Sequence, residues 1–444
     1  MEEFMSGTKL SGPKVQCVAL ALVLLTHSAF LILDHEYYAS DTPSYLVPAD
    51  NLLHGQGFVN ELHQPEINRT PGYPLLLALF RINPLKVEYL VLLQHVLCLL
   101  TAFTVVGFAF RITHSSLIAL AAAFVLSFDL ATLRTANTLL TETTFTVFIA
   151  LVSWVLYRTT MKPTEDMVAI TAAGLLGGLA VLVRPTGILY FVPVSVYLSL
   201  VLKGRALRPI LVFTISFLFL PLLWATRNYV QADYFGPSAI GAEDLLAYRA
   251  AGTLAVRQPG DYFANVLKIR GTLLRQACED LERTYRCDCW RVTQSQRAAY
   301  SVRVGTKIIL NDLPSYLRSV TRGFAYIVFG GGAEALSKIG NVNLLLARRI
   351  VLLITLPEAC FAAIGCWFWF RHERNLFYLL VLTVVYFLVI SAGAEAYSRF
   401  RVPVMPMYAL LVGGGLAASI QSIQRVWSSC MAKVAGYRQA TGLS

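Results

Sequence analysis

A few ionisable residues stand beside long apolar runs. Asp41 lies in Ser40-Asp41-Thr42-Pro43-Ser44-Tyr45, Glu142 in Leu139-Leu140-Thr141-Glu142-Thr143, and Glu395 shortly before Arg399 and Arg401. Arg134, Arg184, Arg399 and Arg401 border apolar segments, and Arg69 and Arg227 fall at the edges of two long loops. The planar fork of arginine donates two parallel charge-assisted hydrogen bonds, which suits phosphate. A carboxylate within hydrogen-bond reach of a hydroxyl can take its proton. Six arginines with acids beside them therefore fit general-base chemistry on a phosphate-bearing ligand. The competing reading lets each arginine snorkel to a lipid headgroup and leaves each acid solvated. That reading suits Glu61 and Glu66, which sit in a polar loop with Asp34, Glu36 and Asp50. It suits Glu142 less, because Glu142 opens an apolar helix.

These residues need a scaffold, and the composition says which kind. Of 444 residues, 56% are hydrophobic and 14% charged, against about 25% charged in an ordinary soluble domain. Mean hydropathy is +0.59. The values exclude a disordered chain, a fibre and a conventional soluble enzyme, and they indicate an all-α polytopic membrane protein. The net charge of +11 does not mark a nucleic-acid binder, because the basic residues cap apolar runs and form no tract with interleaved aromatics.

A bilayer core needs about 20 apolar residues per helix. Ten candidate spans follow, at 15–33, 89–110, 116–133, 139–157, 168–183, 187–202, 209–226, 348–370, 375–393 and 403–420, with 8–12 as the expected range. The first is read as a span and not as a cleaved signal peptide. With the N-terminus inside, every inner segment is basic: Lys9 and Lys14; Arg111; Arg158 and Lys162; Lys203, Arg205 and Arg208; Arg371 and Arg374; Arg425, Lys433 and Arg438. Both termini are then cytoplasmic, and the six arginines named above converge on the outer face. Three parts are expected: 1–230, a catalytic membrane module with the outer loop 34–88; 231–347, an extracytoplasmic cap; and 348–444, the last spans and a basic tail. Within the cap, 262–276 and 313–329 read as helices lying on the membrane surface. Cys278, Cys287 and Cys289 cluster there and allow one disulfide and one leftover thiol in an oxidising space.

Several motifs in order resemble the GT-C superfamily of integral-membrane glycosyltransferases, which use polyprenyl-phosphate sugars. They are Asp41-Thr42-Pro43-Ser44-Tyr45, Gly55-Gln56-Gly57-Phe58, Arg69-Thr70-Pro71-Gly72-Tyr73-Pro74, Thr141-Glu142, Arg184-Pro185-Thr186-Gly187, Trp224-Ala225-Thr226-Arg227 and Glu395-Ala396-Tyr397-Ser398-Arg399-Phe400-Arg401-Val402-Pro403. The pattern is similar to the lipid A aminoarabinose transferase and protein O-mannosyltransferase types. It covers most of 20–235 and 390–415 and none of 236–347. Many relatives carry adjacent acids where this chain has Asp41 followed by Thr42, so a second acid must come from elsewhere, with Glu142 first in line.

The resemblance implies an inverting transfer of a sugar from a polyprenyl-phosphate donor to an acceptor hydroxyl. The acceptor would be a glycan, glycolipid or protein at the outer face of a bacterial inner (plasma) membrane. Asp41 is the expected base, and the competing role for its segment is an N-cap, with Ser40 as the cap and Pro43 in the first turn. Arg399, Arg401, Arg184, Arg227 and Arg69 are the expected phosphate ligands, supported by Glu142, Tyr45, Arg134 and Glu395. Pro403 favours an extended lead-in that would put Arg399 and Arg401 on one face. No cofactor is expected. A divalent metal is the alternative source of positive charge, with His35, His63, Asp41 and Glu142 as conceivable ligands and no helical metal motif among them. Breaks at Pro185, Pro193, Pro221, Pro357, Pro403 and Pro406 suggest a groove for the lipid tail, opening beside the helices that start at Glu142 and end at Arg227. The sequon Asn68-Arg69-Thr70 is read as coincidence. The rival classes are a flippase of lipid-linked sugars, which would place its charges nearer mid-membrane, and a non-catalytic scaffold.

Overall fold

The computed structural model describes residues 12–82, 87–162 and 166–441. Lys9 lies outside the described residues, as do the side chains of Lys433 and Arg438. In chain order the helices are α1 (Gly12–Leu33), α2 (Thr42–Leu53), α3 (Gly72–Ile82), α4 (Val87–Thr113), α5 (Ser116–Phe128), α6 (Leu130–Asn137), α7 (Glu142–Thr160), α8 (Met167–Val183), α9 (Phe191–Leu202) and α10 (Leu207–Ala232). They continue as α11 (Ile240–Asp244), α12 (Ala251–Ala255), α13 (Tyr262–Tyr285), α14 (Gln294–Asn311), α15 (Leu313–Phe329), α16 (Ala333–Ile339), α17 (Leu344–His372), α18 (Arg374–Ser391) and α19 (Met405–Thr441).

All ten expected spans are helical. Among the described residues, seven stretches are long and apolar enough to cross a bilayer, and α5 with α6 makes an eighth when counted as one bent span. Helix α8, with 17 residues, is shorter, and α7 carries Glu142 and Arg158 at its ends. The chain is an integral membrane protein of all-α architecture. Cap helices α13 and α15 cover the two stretches expected to lie on the membrane surface.

The expected continuous span 116–133 is broken. Asp129 is extended and caps α6, its carboxylate accepting from the Thr132 backbone N–H at 2.9 Å and the Thr132 hydroxyl at 2.6 Å. The axis bends by 54° there. An aspartate in an apolar helix competes for backbone donors, and capping a new helix satisfies it.

Glycine sets how closely the spans pack. A Cβ on Gly365 of α17 would lie 1.8 Å from the Leu411 carbonyl oxygen, and one on Gly415 of α19 would lie 1.8 Å from that of Phe361. The α17 and α19 backbones therefore touch, a mode of helix association common in lipid. Gly178 does the same for α8, facing the Phe217 carbonyl oxygen of α10 at 2.6 Å.

Several ionisable groups inside the bundle are paired. The rings of His27 (α1) and His95 (α4) meet Nδ1 to Nδ1 at 2.7 Å. Arg401, only 5% exposed, lies between Asp129 (Nε to Oδ1, 3.2 Å) and Glu358 (Nη2 to Oε2, 3.2 Å) and donates to the Val328 carbonyl at 3.1 Å. Three ions in this setting hold together only as a set. Arg401→Met is expected to cost roughly 3–5 kcal/mol by stranding two carboxylates. Adding Asp129→Asn and Glu358→Gln should recover part of it, as read by thermal unfolding in detergent micelles.

Candidate active site

Asp41 is the N-cap residue of α2, but its side chain makes no cap hydrogen bond. Ser40 is not the cap that the sequence suggested. Thr42 ties down this end of the helix instead, its hydroxyl accepting from the Ala39 N–H at 2.9 Å and donating to the Leu139 carbonyl at 3.1 Å. Ser44 donates to the Asp41 backbone carbonyl at 2.6 Å. With the backbone satisfied, the Asp41 carboxylate is left free to face a cluster of arginines. Pro43 falls in the first turn, as expected.

Arg399 hydrogen-bonds and ion-pairs with Asp41 through Nη2. Its Nε lies 3.4 Å from Glu142 Oε1 and has no hydrogen bond of its own. Arg184, at the C-terminus of α8, reaches the same Glu142 oxygen from Nη1 at 3.0 Å and the Thr141 hydroxyl at 2.9 Å. Both guanidiniums stack near the Phe400 ring, at 5.0 and 5.5 Å from its centroid. Arg69 closes the group: Nε donates to Ser44 Oγ at 2.9 Å, Nη1 to Tyr45 Oη at 3.1 Å, and Nη2 lies 3.9 Å from Asp41 Oδ1. Tyr45 in turn packs edge-on against Tyr73 at 5.4 Å.

The two acids differ in access. The Asp41 side chain is 31% exposed and that of Glu142 is 1% exposed. Glu142 therefore serves as a buried anchor for Arg184 and Arg399, and Asp41 is the carboxylate open to a ligand. Burial works against the Asp41 charge. Arg399, by charge and hydrogen bond, with Arg69 and Arg184 behind it, outweighs burial and holds the carboxyl below its ordinary range. Three guanidiniums face two carboxylates, so one positive charge is left over.

Four expected site residues stand elsewhere. The lead-in to Pro403 is a 3₁₀ helix, Ser398–Val404, and not extended chain. Residues i and i+2 diverge on such a helix, so Arg399 meets Asp41 while Arg401 is enclosed by Asp129 and Glu358. Arg227 is committed to backbone, donating to the carbonyls of Glu66 (2.9 Å) and Phe58 (2.7 Å) over the ring of Trp224. It fastens the first loop to α10. Arg134 pairs with Asp34 and, at 2.7 Å, with Glu36, which Lys338 also reaches at 2.9 Å. Glu395 pairs with Arg249 at 2.8 Å, not with Arg399.

Glu66, read from sequence as a solvated loop charge, is buried. One oxygen accepts from the backbone N–H groups of Asn68 (2.6 Å) and Arg69 (2.9 Å), and the other from the Gln294 amide (3.1 Å). Among the described residues no group of three or more His, Cys, Asp or Glu side chains is gathered to hold a metal. An apolar cavity of about 60 Å³ within the bundle lies between α4, α7, α18 and α19. It touches α7 at Ala150, Ser153 and Trp154, from the middle of that helix onward and away from Glu142, and α10 packs against α8.

The cap adds residues that sequence reading missed. Asp244 ends α11, and a π turn, Leu245–Ala250, follows. The turn carries Tyr248, whose ring lies under the Arg270 guanidinium at 4.5 Å. Burial, with Glu395 and then Glu243 nearby, pushes the Asp244 carboxyl up to about 7 against the pull of Arg69 and Arg249. No spacing marks these residues, because the irregular turn that presents them leaves no period in the sequence. The cap also holds the disulfide Cys278–Cys289, and Cys287 is free, which matches the expected one bridge and one thiol.

No model of a known protein family matches the chain, and no curated protein matches it. Among solved structures, the chain is similar to the archaeal oligosaccharyltransferase AglB from Archaeoglobus fulgidus, in complex with an inhibitory peptide and a dolichol-phosphate. The TM-score is 0.47 and the identity 11%, over 93% of this chain and 52% of that one. It is also similar to ArnT from Cupriavidus metallidurans bound to undecaprenyl phosphate, with a TM-score of 0.41 and 14% identity, over 90% of this chain and 77% of that one. The chain spans about half the length of AglB.

Because Asp244 has a raised carboxyl, ionising it costs the folded state. Its contribution to stability is intact at acid pH and falls as pH rises from the ordinary carboxylate range to about 7, then levels off. Asp244→Asn is expected to flatten that part of the pH profile. It should raise the melting temperature at pH 8 and leave it unchanged near pH 4, as measured by thermal scanning in detergent.

Proposed function

We propose that the chain is a membrane glycosyltransferase that moves a sugar from a polyprenyl-phosphate donor to an acceptor hydroxyl at the cap end of the bundle. One observation carries the reading: a partly exposed carboxylate, Asp41, stands against an excess of guanidinium charge where apolar helices end. The order of motifs in the sequence supports it. A flippase would need its charges nearer mid-membrane.

The chemistry follows from the geometry. The donor phosphate seats between Arg399, Arg184 and Arg69. A phosphate beside Arg399 shares its positive charge and hydrogen bonds, so Arg399 holds the Asp41 carboxylate less strongly and Asp41 becomes a better base. The acceptor hydroxyl attacks the anomeric carbon and Asp41 takes its proton. The bond from that carbon to the phosphate oxygen breaks, and its electron pair leaves with polyprenyl phosphate. The fixed guanidiniums stabilise the charge that develops there. Glu142 holds Arg184 and Arg399 in place throughout. With the cap taken as extracytoplasmic, the reaction occurs on the outer face of a bacterial inner membrane, the acceptor is a glycan, glycolipid or protein, and both termini are cytoplasmic. The basic residues Arg158, Lys203, Arg371 and Arg374, at the opposite ends of their helices, agree with that orientation.

Asp41→Asn removes the proton acceptor and keeps the shape. It is expected to lower transfer by about 10²–10⁴-fold and to leave binding of undecaprenyl phosphate intact. Arg399→Ala should weaken binding as well as turnover. Transfer assayed with a radiolabelled polyprenyl-phosphate sugar in proteoliposomes checks both, and full activity in Asp41→Asn would overturn the proposal.

A further inference from the structure

A second recess lies apart from the arginine cluster. It has a volume of about 680 Å³ and is formed by three segments: Gln64, Pro65 and Ile67 of the first loop, the last turn of α10 from Tyr229 with Asp233 beyond it, and the start of α14 from Thr293 to Gln296. That volume falls in the usual range of ligand sites, about 300–1,000 Å³.

Its chemistry is the reverse of the Asp41 site. No lysine or arginine lines it, and Asp233 is its one charged residue. At the N-terminus of α14 a capping box already uses the N–H groups of Thr293 and Gln296. Amides and hydroxyls remain, with the Tyr229 ring 56% exposed. The Oε1 of Gln64 is buried and has no hydrogen-bond partner. Gln294 is a fixed wall, accepting from the Ile67 N–H at 2.8 Å and donating to Glu66 at 3.1 Å. A side-chain amide offers a donor and an acceptor side by side, which matches neighbouring hydroxyls, and an exposed aromatic ring offers an apolar face to a sugar ring. A phospholipid headgroup would need the cations that this recess lacks.

We propose that this cleft binds a neutral carbohydrate chain. Its use as the seat of the acceptor rests on the transfer reading above, whereas the binding itself does not. The cleft and the Asp41 site share one segment. Glu66 is held by Gln294 on the cleft side and orders the backbone of Asn68 and Arg69 on the other, and the Arg69 side chain reaches Asp41. A bound glycan would lean on the same short loop that aims Arg69.

The test uses the full chain in lipid nanodiscs on a printed array of neutral, acidic and cationic oligosaccharides. The expected result is retention of neutral glycans. Tyr229→Ala and Gln231→Ala, both at the rim, should each reduce it by about tenfold with an unchanged melting temperature. Asp41→Asn should leave glycan retention intact. Four results would each overturn the cleft: no glycan retained, retention of charged glycans only, retention indifferent to Tyr229 and Gln231, or retention lost in Asp41→Asn. If Asp41→Asn keeps its transferase activity while Tyr229→Ala loses glycan, the transfer reading falls and the cleft stands.

Discussion

Charge carried into the edge of an apolar bundle has to be neutralised there, and the pairing of guanidinium with carboxylate organises this molecule. Glu142 alone anchors two arginines, and Arg401 holds two acids. The two groups have opposite consequences. Around Arg401 the charges are closed off and serve the fold. Around Asp41 the pairing is incomplete, with a carboxylate partly open to solvent and three guanidiniums sharing two acids. Incomplete pairing is what a ligand can exploit, since it offers new partners without first breaking a sealed set.

The sequence showed the helices well and the arginines less well. Runs of apolar residues are long enough to announce a span regardless of context, so all ten expected segments are helical. Which way a side chain points is a finer matter. Arg399 and Arg401 differ by two residues, and their roles separate only because the intervening chain winds as a 3₁₀ helix. Arg227 had the type and place of a phosphate ligand, but nearby loop carbonyls from Phe58 and Glu66 claim it. Those carbonyls belong to a loop more than 160 residues earlier, and no local pattern reports such a contact. Asp129 was the reverse case, an acid absorbed silently into an expected span that in fact ends one helix and starts the next.

The cap was the least legible part. Two of its helices could be read from their pattern of apolar and basic residues, and its cysteines from their clustering. Asp244, Tyr248 and Arg270 gave no signal, because they are brought together by a π turn and a distant helix. Glu66 was misread for a related reason: a loop acid looks solvated until a helix such as α14 folds over it.

The glycine contact between α17 and α19 has a mechanical meaning. With backbones touching at Gly365 and Gly415, the two helices form a stiff double rail. The 3₁₀ segment that bears Arg399 runs directly into α19, and Arg401 bolts that segment to Glu358 on α17. The arginine facing Asp41 is thus mounted on a closely packed pair of helices. Asp41 and Arg69, by contrast, are carried on the first loop and the start of α2, outside that helix pair.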